Sequence, residues 1–282
     1  MQRTVVARPA PDNRDDAARP GDADAAGFAI GYDGAMAIRD LSAQRLFLDV
    51  ELKEGRTIPC SRDQANYLRS VLRLTPSDEV LVFNGQDGEW RARMVEIGKR
   101  GCTLEPVVQV RPQEPGPDLD YLFAPLKRAR LDYMVQKATE LGAARLWPVL
   151  TRHTVAERVN LERMRANVIE AAEQCGILRL PEVREPDRLE RIVASWDASR
   201  PLVFCDESAE VKDPIAALGT VPRGPVAVLL GPEGGFSAEE RALLLGKPYT
   251  VRLSLGPRVL RADTAAVAAL ALVNAVIGDW RV

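Results

Sequence analysis

"LLGPEGGFSAEE", Leu229 to Glu240, decides how the carboxyl-terminal half is read. An apolar run stops at Gly231-Pro232-Glu233-Gly234-Gly235, and a polar, helix-favouring stretch begins. Glycine turns between a strand and a helix often cradle phosphate by pointing backbone N–H groups at the anion. This turn does not suit that ligand. Pro232 has no N–H to offer, Glu233 would place a negative charge beside the phosphates, and neither G-x-x-x-x-G-K-[ST] nor G-x-G-x-x-G fits. A ligand that is neutral or cationic at this point, read by backbone groups and shape, is the better match. The plainer alternative is a tight turn with Glu233 exposed.

A second loop resembles the first. "LSLGPRVLRADTAAVAALALV", Leu253 to Val273, runs from a strand through Gly256-Pro257 into Arg258-Val259-Leu260-Arg261 and then into a long apolar helix. Two glycine–proline turns at neighbouring strand ends can line one pocket, because ligands of parallel sheets sit beyond the carboxyl ends of the strands. Arg258 and Arg261 suit a ligand or a partner subunit. Asp263 and Thr264 are favoured helix caps directly before a helix.

Outward from these loops, apolar strands alternate with helical patterns. Strands are expected at "YLFAPL", "ARLWPVL", "PLVFCD", "VAVLLG" and "TVRLSL". Helices are expected at Arg128–Leu141, Leu161–Cys175, Leu189–Trp196, Ala238–Leu245 and Thr264–Ile277. That order indicates an α/β domain with a parallel sheet over 121–282. The proline-rich "RPQEPGPDLD" before it makes 112–120 a linker. Residues 41–111 read as a small β-rich module, with a hairpin signal in "VLVFNGQDGEWRARMVEI" and a serine-capped helix in "SRDQANYLRSVL". Residues 1–40 have no apolar periodicity and read as a disordered tail or a mis-assigned extension, with Met36 an alternative start.

Composition narrows the function. The longest apolar segment, Ala265 to Ile277, is interrupted by Asn274 and falls short of the roughly 18 residues a membrane span needs. Four scattered cysteines and the single histidine, His153, argue for a cytoplasmic protein without a metal site. No nucleophile elbow accompanies that histidine. Net charge is −2, yet Tyr121 to Leu180 holds ten Lys/Arg against six Asp/Glu, compatible with a polyanionic partner. Ordinary solvated helix faces would look the same.

LLGPEGGFSAEE followed by LSLGPRVLRADTAA resembles the signature pair of the RsmE family, the bacterial 16S ribosomal RNA uridine-N3 methyltransferases of the SPOUT superfamily. "RLFL" at Arg45, "VLRL" at Val71, "QKATELGA" at Gln136 and "EAAEQCGILRLPEV" at Glu170 are similar to further family blocks, in order. The resemblance implies a carboxyl domain threaded through a deep trefoil knot and an amino module that is a PUA-like, RNA-binding β-barrel. It implies S-adenosylmethionine, held by backbone groups around Leu230, Gly231, Pro232, Glu233, Gly234, Gly235, Leu253, Leu255, Gly256, Leu260 and Arg261. That ligand has no phosphate and carries a sulfonium, which removes the objection to Pro232 and Glu233.

The same likeness implies 16S ribosomal RNA within the small (30S) subunit as partner and a homodimer with its site near the subunit interface. Arg258 and Arg261 would stabilise charge on the uracil, with Asp263 as possible base or as cap. Arg45, Arg69, Arg73, Lys127, Arg128, Arg130 and Arg152 are the candidate RNA contacts. The chain departs from the family at Ala262-Asp263, where the carboxylate is one methylene shorter, and at Gly176-Ile177-Leu178, which precede Arg179. Other readings are a non-catalytic ribosome-assembly factor and an enzyme of the same superfamily acting on another RNA.

Overall fold

A computed structural model describes residues 44–98, 101–155, 158–210 and 212–280. The tail expected over 1–40 lies outside them. The amino-terminal module is built from β1 (Arg45–Phe47), β2 (Ile58–Pro59), α1 (Arg62–Asn66), β3 (Glu79–Phe83), β4 (Glu89–Gly98) and β5 (Gly101–Arg111). Ser61 caps α1 with a full capping box, its side chain taking the Gln64 N–H while Gln64 returns to the Ser61 N–H. The helix then widens into one π turn, Tyr67–Val71. The sheet order is β1-β3-β4-β5-β2, and β3 and β4 form the expected antiparallel hairpin. Three register shifts along β4 and β5 bend the sheet around Val82, Met94 and Leu104, all essentially buried.

The second sheet comprises β6 (Leu119–Phe123), β7 (Arg145–Leu150), β8 (Glu182–Val183), β10 (Leu202–Cys205), β11 (Val226–Leu230) and β12 (Thr250–Leu253), with β9 (Asp187–Arg188) beside β7. Its order is β12-β10-β11-β6-β7-β8 and every pair is parallel. The helices between them are α2 (Ala129–Glu140), α3 (Leu161–Cys175), α4 (Leu189–Ala194), α5 (Pro214–Leu218), α6 (Ala238–Leu245) and α7 (Ala262–Val276). Strands β6 and β11 are buried at every position because helices cover both faces. Alternation within them sorts the core. Tyr121, Phe123 and Val228 face Met134 of α2, Met164 of α3 and Leu270 of α7, whereas Leu122 and Leu229 face Ile192 of α4 and Leu244 of α6.

Leu161–Cys175 and Ala238–Leu245 are helices at the expected bounds. Helix α7 begins at Ala262, two residues before the Thr264 expected from the sequence. The short α5, capped by Asp213 with Pro214 in its first turn, was not expected at all. Among the described residues, no helix is long and apolar enough to cross a membrane.

Both sheets belong to one compact unit, Ala37–Val282, and a buried ion cluster joins them. Glu89 accepts Arg45 Nε at 2.8 Å and Arg111 Nε at 2.8 Å, and Arg111 Nη2 also donates to Gly176 O at 2.9 Å. Burial opposes the charge on Glu89, but Arg111 and Arg45 outweigh it and hold the carboxyl below its ordinary range. Arg45 therefore cannot serve as the surface RNA contact expected from the sequence, since its side chain is 1% exposed. Gly176 ends α3 in the left-handed region (φ +63°), and a Cβ there would lie 3.2 Å from the Arg45 guanidinium carbon. Ile177 and Leu178 pack beside it with Phe83, Ala172 and Phe47. Arg179 donates to the carbonyls of Pro115 and Pro117, so it pins the linker. The departure at Gly176-Ile177-Leu178 thus has a structural use. Glu173 accepts the Phe47 N–H at 2.8 Å and belongs to the same interface.

Candidate functional site

Strand β10 lies between β11 and β12, so the two glycine loops leave the same edge of the sheet one strand apart and not from neighbouring strands as the sequence suggests. The loop after β11 is braced throughout. Gly231 lies under the Phe236 ring, where a Cβ would come within 2.4 Å of it. Phe236 itself meets Phe204 of β10 edge-on at 5.1 Å. Gly235 takes φ +70°, and its N–H closes a turn onto Pro232 O at 2.9 Å. Glu233 pairs with Arg130, which leads α2, and both side chains are about half exposed (50% and 44%). Ser237 caps α6 with Glu240 as its capping-box partner.

Asp206, at the end of β10, holds the two loop segments together. Its carboxylate accepts Arg241 Nη2 of α6 at 2.9 Å, Arg252 Nε of β12 at 2.8 Å and the Ser208 N–H at 3.0 Å. Burial pushes against that charge, yet Arg241, the Ser208 N–H and Arg252 prevail and keep the carboxyl below its ordinary range. The residue was missed in the sequence because Arg241 and Arg252 are 35 and 46 residues away along the chain.

The loop after β12 is different. Gly256 has φ +95° with open space where a Cβ would stand, and residues 256–259 are exposed, Val259 completely. Among the described residues, the backbone groups of Leu255 to Leu260 form no hydrogen bond with one another or with the rest of the protein. Arg261 Nη2 donates to Asp263 Oδ2 at 3.1 Å, and Asp263 Oδ1 accepts the Thr264 N–H at 3.0 Å. Asp263 is therefore not the cap expected from the sequence. Arg261 occupies that position without a side-chain cap bond, and Asp263 sits inside the first turn.

Of the other sequence candidates, Leu230 and Leu253 are the buried last residues of their strands, and Leu255 and Leu260 are half-buried on the core side of the open loop. Lys127, Arg128 and Arg130 are exposed in the segment after β6, where Arg128 takes a left-handed φ of +32°. Arg152 is exposed after β7, next to His153. Arg69 and Arg73 are exposed on and just after the π turn of the amino module, away from these loops in sequence and in sheet. The geometry thus offers a braced wall, an open stretch of unused backbone donors and acceptors, and a basic rim. That suits a ligand recognised through backbone groups and shape. S-adenosylmethionine fits this description: Leu255 to Leu260 could read its polar edges, and no phosphate site is required.

Comparison with known proteins agrees. The RNA methyltransferase domain family matches residues 112–274, and the RNA methyltransferase PUA domain family matches residues 61–107. The ribosomal RNA small subunit methyltransferase E of Rickettsia conorii is 30% identical over 232 residues, spanning 82% of this chain and 94% of its own. The Synechocystis protein of the same name is 31% identical over 239 residues, covering 83% of this chain and 78% of its own. Among solved structures, a Legionella pneumophila methyltransferase in complex with S-adenosylmethionine has a TM-score of 0.72 at 28% identity, over 83% of this chain and 97% of that one. The Neisseria gonorrhoeae small subunit methyltransferase E bound to the same molecule has a TM-score of 0.76 at 24% identity, over 84% of this chain and 99% of that one.

Proposed function

Because the chain belongs to the ribosomal RNA small subunit methyltransferase E family, we propose that it uses S-adenosylmethionine to methylate N3 of one uridine in 16S ribosomal RNA. The observation that carries this reading is the pairing of a braced glycine loop with an open one at the ends of two strands, β11 and β12, that flank β10. Bound there, S-adenosylmethionine supplies an electrophilic methyl group. Gly231 to Gly235 with Leu230 form the rigid side of its site; Leu253, Leu255, Gly256, Leu260 and Arg261 form the adaptable side.

Uridine N3 becomes a nucleophile only as its proton leaves, and negative charge then spreads over the uracil oxygens. The guanidinium groups of Arg258 and Arg261 are exposed and can face that charge. Asp263 orients Arg261 through the 3.1 Å contact and is the nearest carboxylate in sequence for the departing proton. The target base must be flipped out or already unpaired to present N3. Arg69, Arg73, Lys127, Arg128, Arg130 and Arg152 contact phosphates, so binding falls steeply with salt.

The return of the chain from β8 to β10, then inward to β11, supports a knotted carboxyl domain. Helix α7 leaves Val267, Ala268, Ala271 and Leu272 half-open at helical spacing, which supports a homodimer built on that stripe. The enzyme would act in the cytoplasm on the 30S subunit. Mass spectrometry of 16S ribosomal RNA from a deletion strain tests the proposal: loss of N3-methyluridine, restored by the wild-type gene, is expected. Its unchanged presence rejects the assignment.

A further inference from the structure

Two carboxylates of the glycine-loop segment reach across to the loops that follow the next strands of the sheet. Glu233 pairs with Arg130, beyond β6. Glu240 is 4% exposed and splits its two oxygens: Oε2 accepts the Ser237 N–H at 2.8 Å, and Oε1 accepts the Arg152 N–H at 2.7 Å, beyond β7. The capping box of α6 needs only the first of these bonds. The second latches another loop. His153 adds to the latch, since its Nδ1 donates to Gly235 O at 3.1 Å. Gly234 is pressed against the same ring, where a Cβ would lie 3.3 Å from His153 Cβ. The Thr151 N–H to Thr154 Oγ1 bond (2.9 Å) makes residues 151–154 a closed turn, so it moves as a piece.

A buried carboxylate that loses one of its N–H partners leaves a desolvated charge under-satisfied. The turn carrying Arg152 therefore cannot shift without disturbing Gly234 and Gly235, and a ligand that orders those glycines also orders the turn. Resting on the methyltransferase reading above, we propose that Glu240, helped by His153, is a positioning residue that couples cofactor binding at the glycine loop to RNA binding at the Arg152 turn. Cofactor and RNA then bind with positive cooperativity. Linkage requires the effect to be reciprocal.

The test uses the full chain, S-adenosylhomocysteine as a non-reactive cofactor probe and a 16S ribosomal RNA transcript at fixed salt. The readout is the ratio of RNA dissociation constants without and with the probe, checked in reverse by calorimetry of the probe with and without RNA. In the wild type each ligand should tighten the other about fivefold, at the lower end of ordinary coupling. In Glu240→Ala the ratio should fall to about one. Glu240→Gln, which keeps one acceptor oxygen, should retain an intermediate ratio. His153→Ala leaves Glu240 in place and should also reduce it, which covers the case where Glu240→Ala does not fold. A purely structural role would lower thermal stability or both affinities and leave the ratio unchanged. Wild-type protein that binds both ligands independently overturns the coupling while the methyltransferase reading stands. Failure of wild-type protein to bind S-adenosylhomocysteine removes the reading on which the coupling rests. A full ratio in Glu240→Ala and in His153→Ala overturns the role of the latch.

Discussion

The two loops both start Leu-Gly-Pro, at Leu230 and at Leu255, and are opposites in structure. Gly231 to Gly235 is held by an aromatic ring, an ion pair, a histidine and a capped helix. Leu255 to Leu260 has no internal hydrogen bond, and Val259 is fully exposed. The contrast suggests a division of labour. The braced loop has its shape before any ligand arrives, so little ordering entropy remains to be lost there on binding. The open loop keeps its backbone groups and Arg258 without partners among the described residues, while Arg261 is held by Asp263, so a ligand seated there would have to supply those partners.

The contrast can be broken at its common support. Asp206→Ala strands Arg241 and Arg252 beside a buried gap and should cost about 3 kcal/mol, less than a fully buried pair because both guanidiniums are partly exposed. Thermal unfolding should register this as a fall of roughly 10 °C in Tm; a drop of a degree or two would mean that the braced loop does not depend on this carboxylate. The same group sets an acid limit. Its carboxyl lies below the ordinary range when folded, so its contribution is complete above the unfolded value of about 4 and is lost as pH falls through the folded one. Asp206→Asn should flatten the acid side of a stability-versus-pH curve, and an unchanged slope would contradict the assignment.

Next in size is Gly231→Val. The added carbon meets the Phe236 ring, so overpacking of about 2 kcal/mol and loss of S-adenosylhomocysteine binding by calorimetry are expected. Retained affinity would detach the braced loop from the cofactor. Gly256→Ala meets no neighbour, and only its positive φ resists the change, at about 1 kcal/mol. A loss of cofactor affinity larger than that stability change would sharpen the view that the open loop is shaped on binding. Smallest of all, Val259→Ser should alter stability by less than about 0.5 kcal/mol because no described residue covers it. A large fall in Tm would instead place Val259 in a subunit contact.

Much of this architecture was legible beforehand where the signal is local. Ser237 with Glu240 is a capping box four residues long, and Leu161–Cys175 carries its own helical period. The hairpin of β3 and β4 announces itself through Asn84, Gly85 and Gly88. Local signals also misled. Asp263 looks like a cap, yet the helix starts at Ala262, two residues before Thr264, and uses the carboxylate to hold Arg261. Arg45 looks like a surface cation, yet it is buried against Glu89, 44 residues on. Arg179, which follows the departure at Gly176-Ile177-Leu178, is spent on the linker carbonyls.

Periodicity, caps and turn residues determined from the sequence alone that this is a parallel α/β domain behind a β module, and that two glycine loops end its strands, because those features are encoded within a few residues of one another. Which loops touch, which arginines remain in water and where Glu240 sends its second oxygen were decided only by the tertiary structure. Arg152 and Glu240 are 88 residues apart, and no local pattern specifies a partner at that distance. The sheet order does, by setting the strand ends that carry them on the same rim.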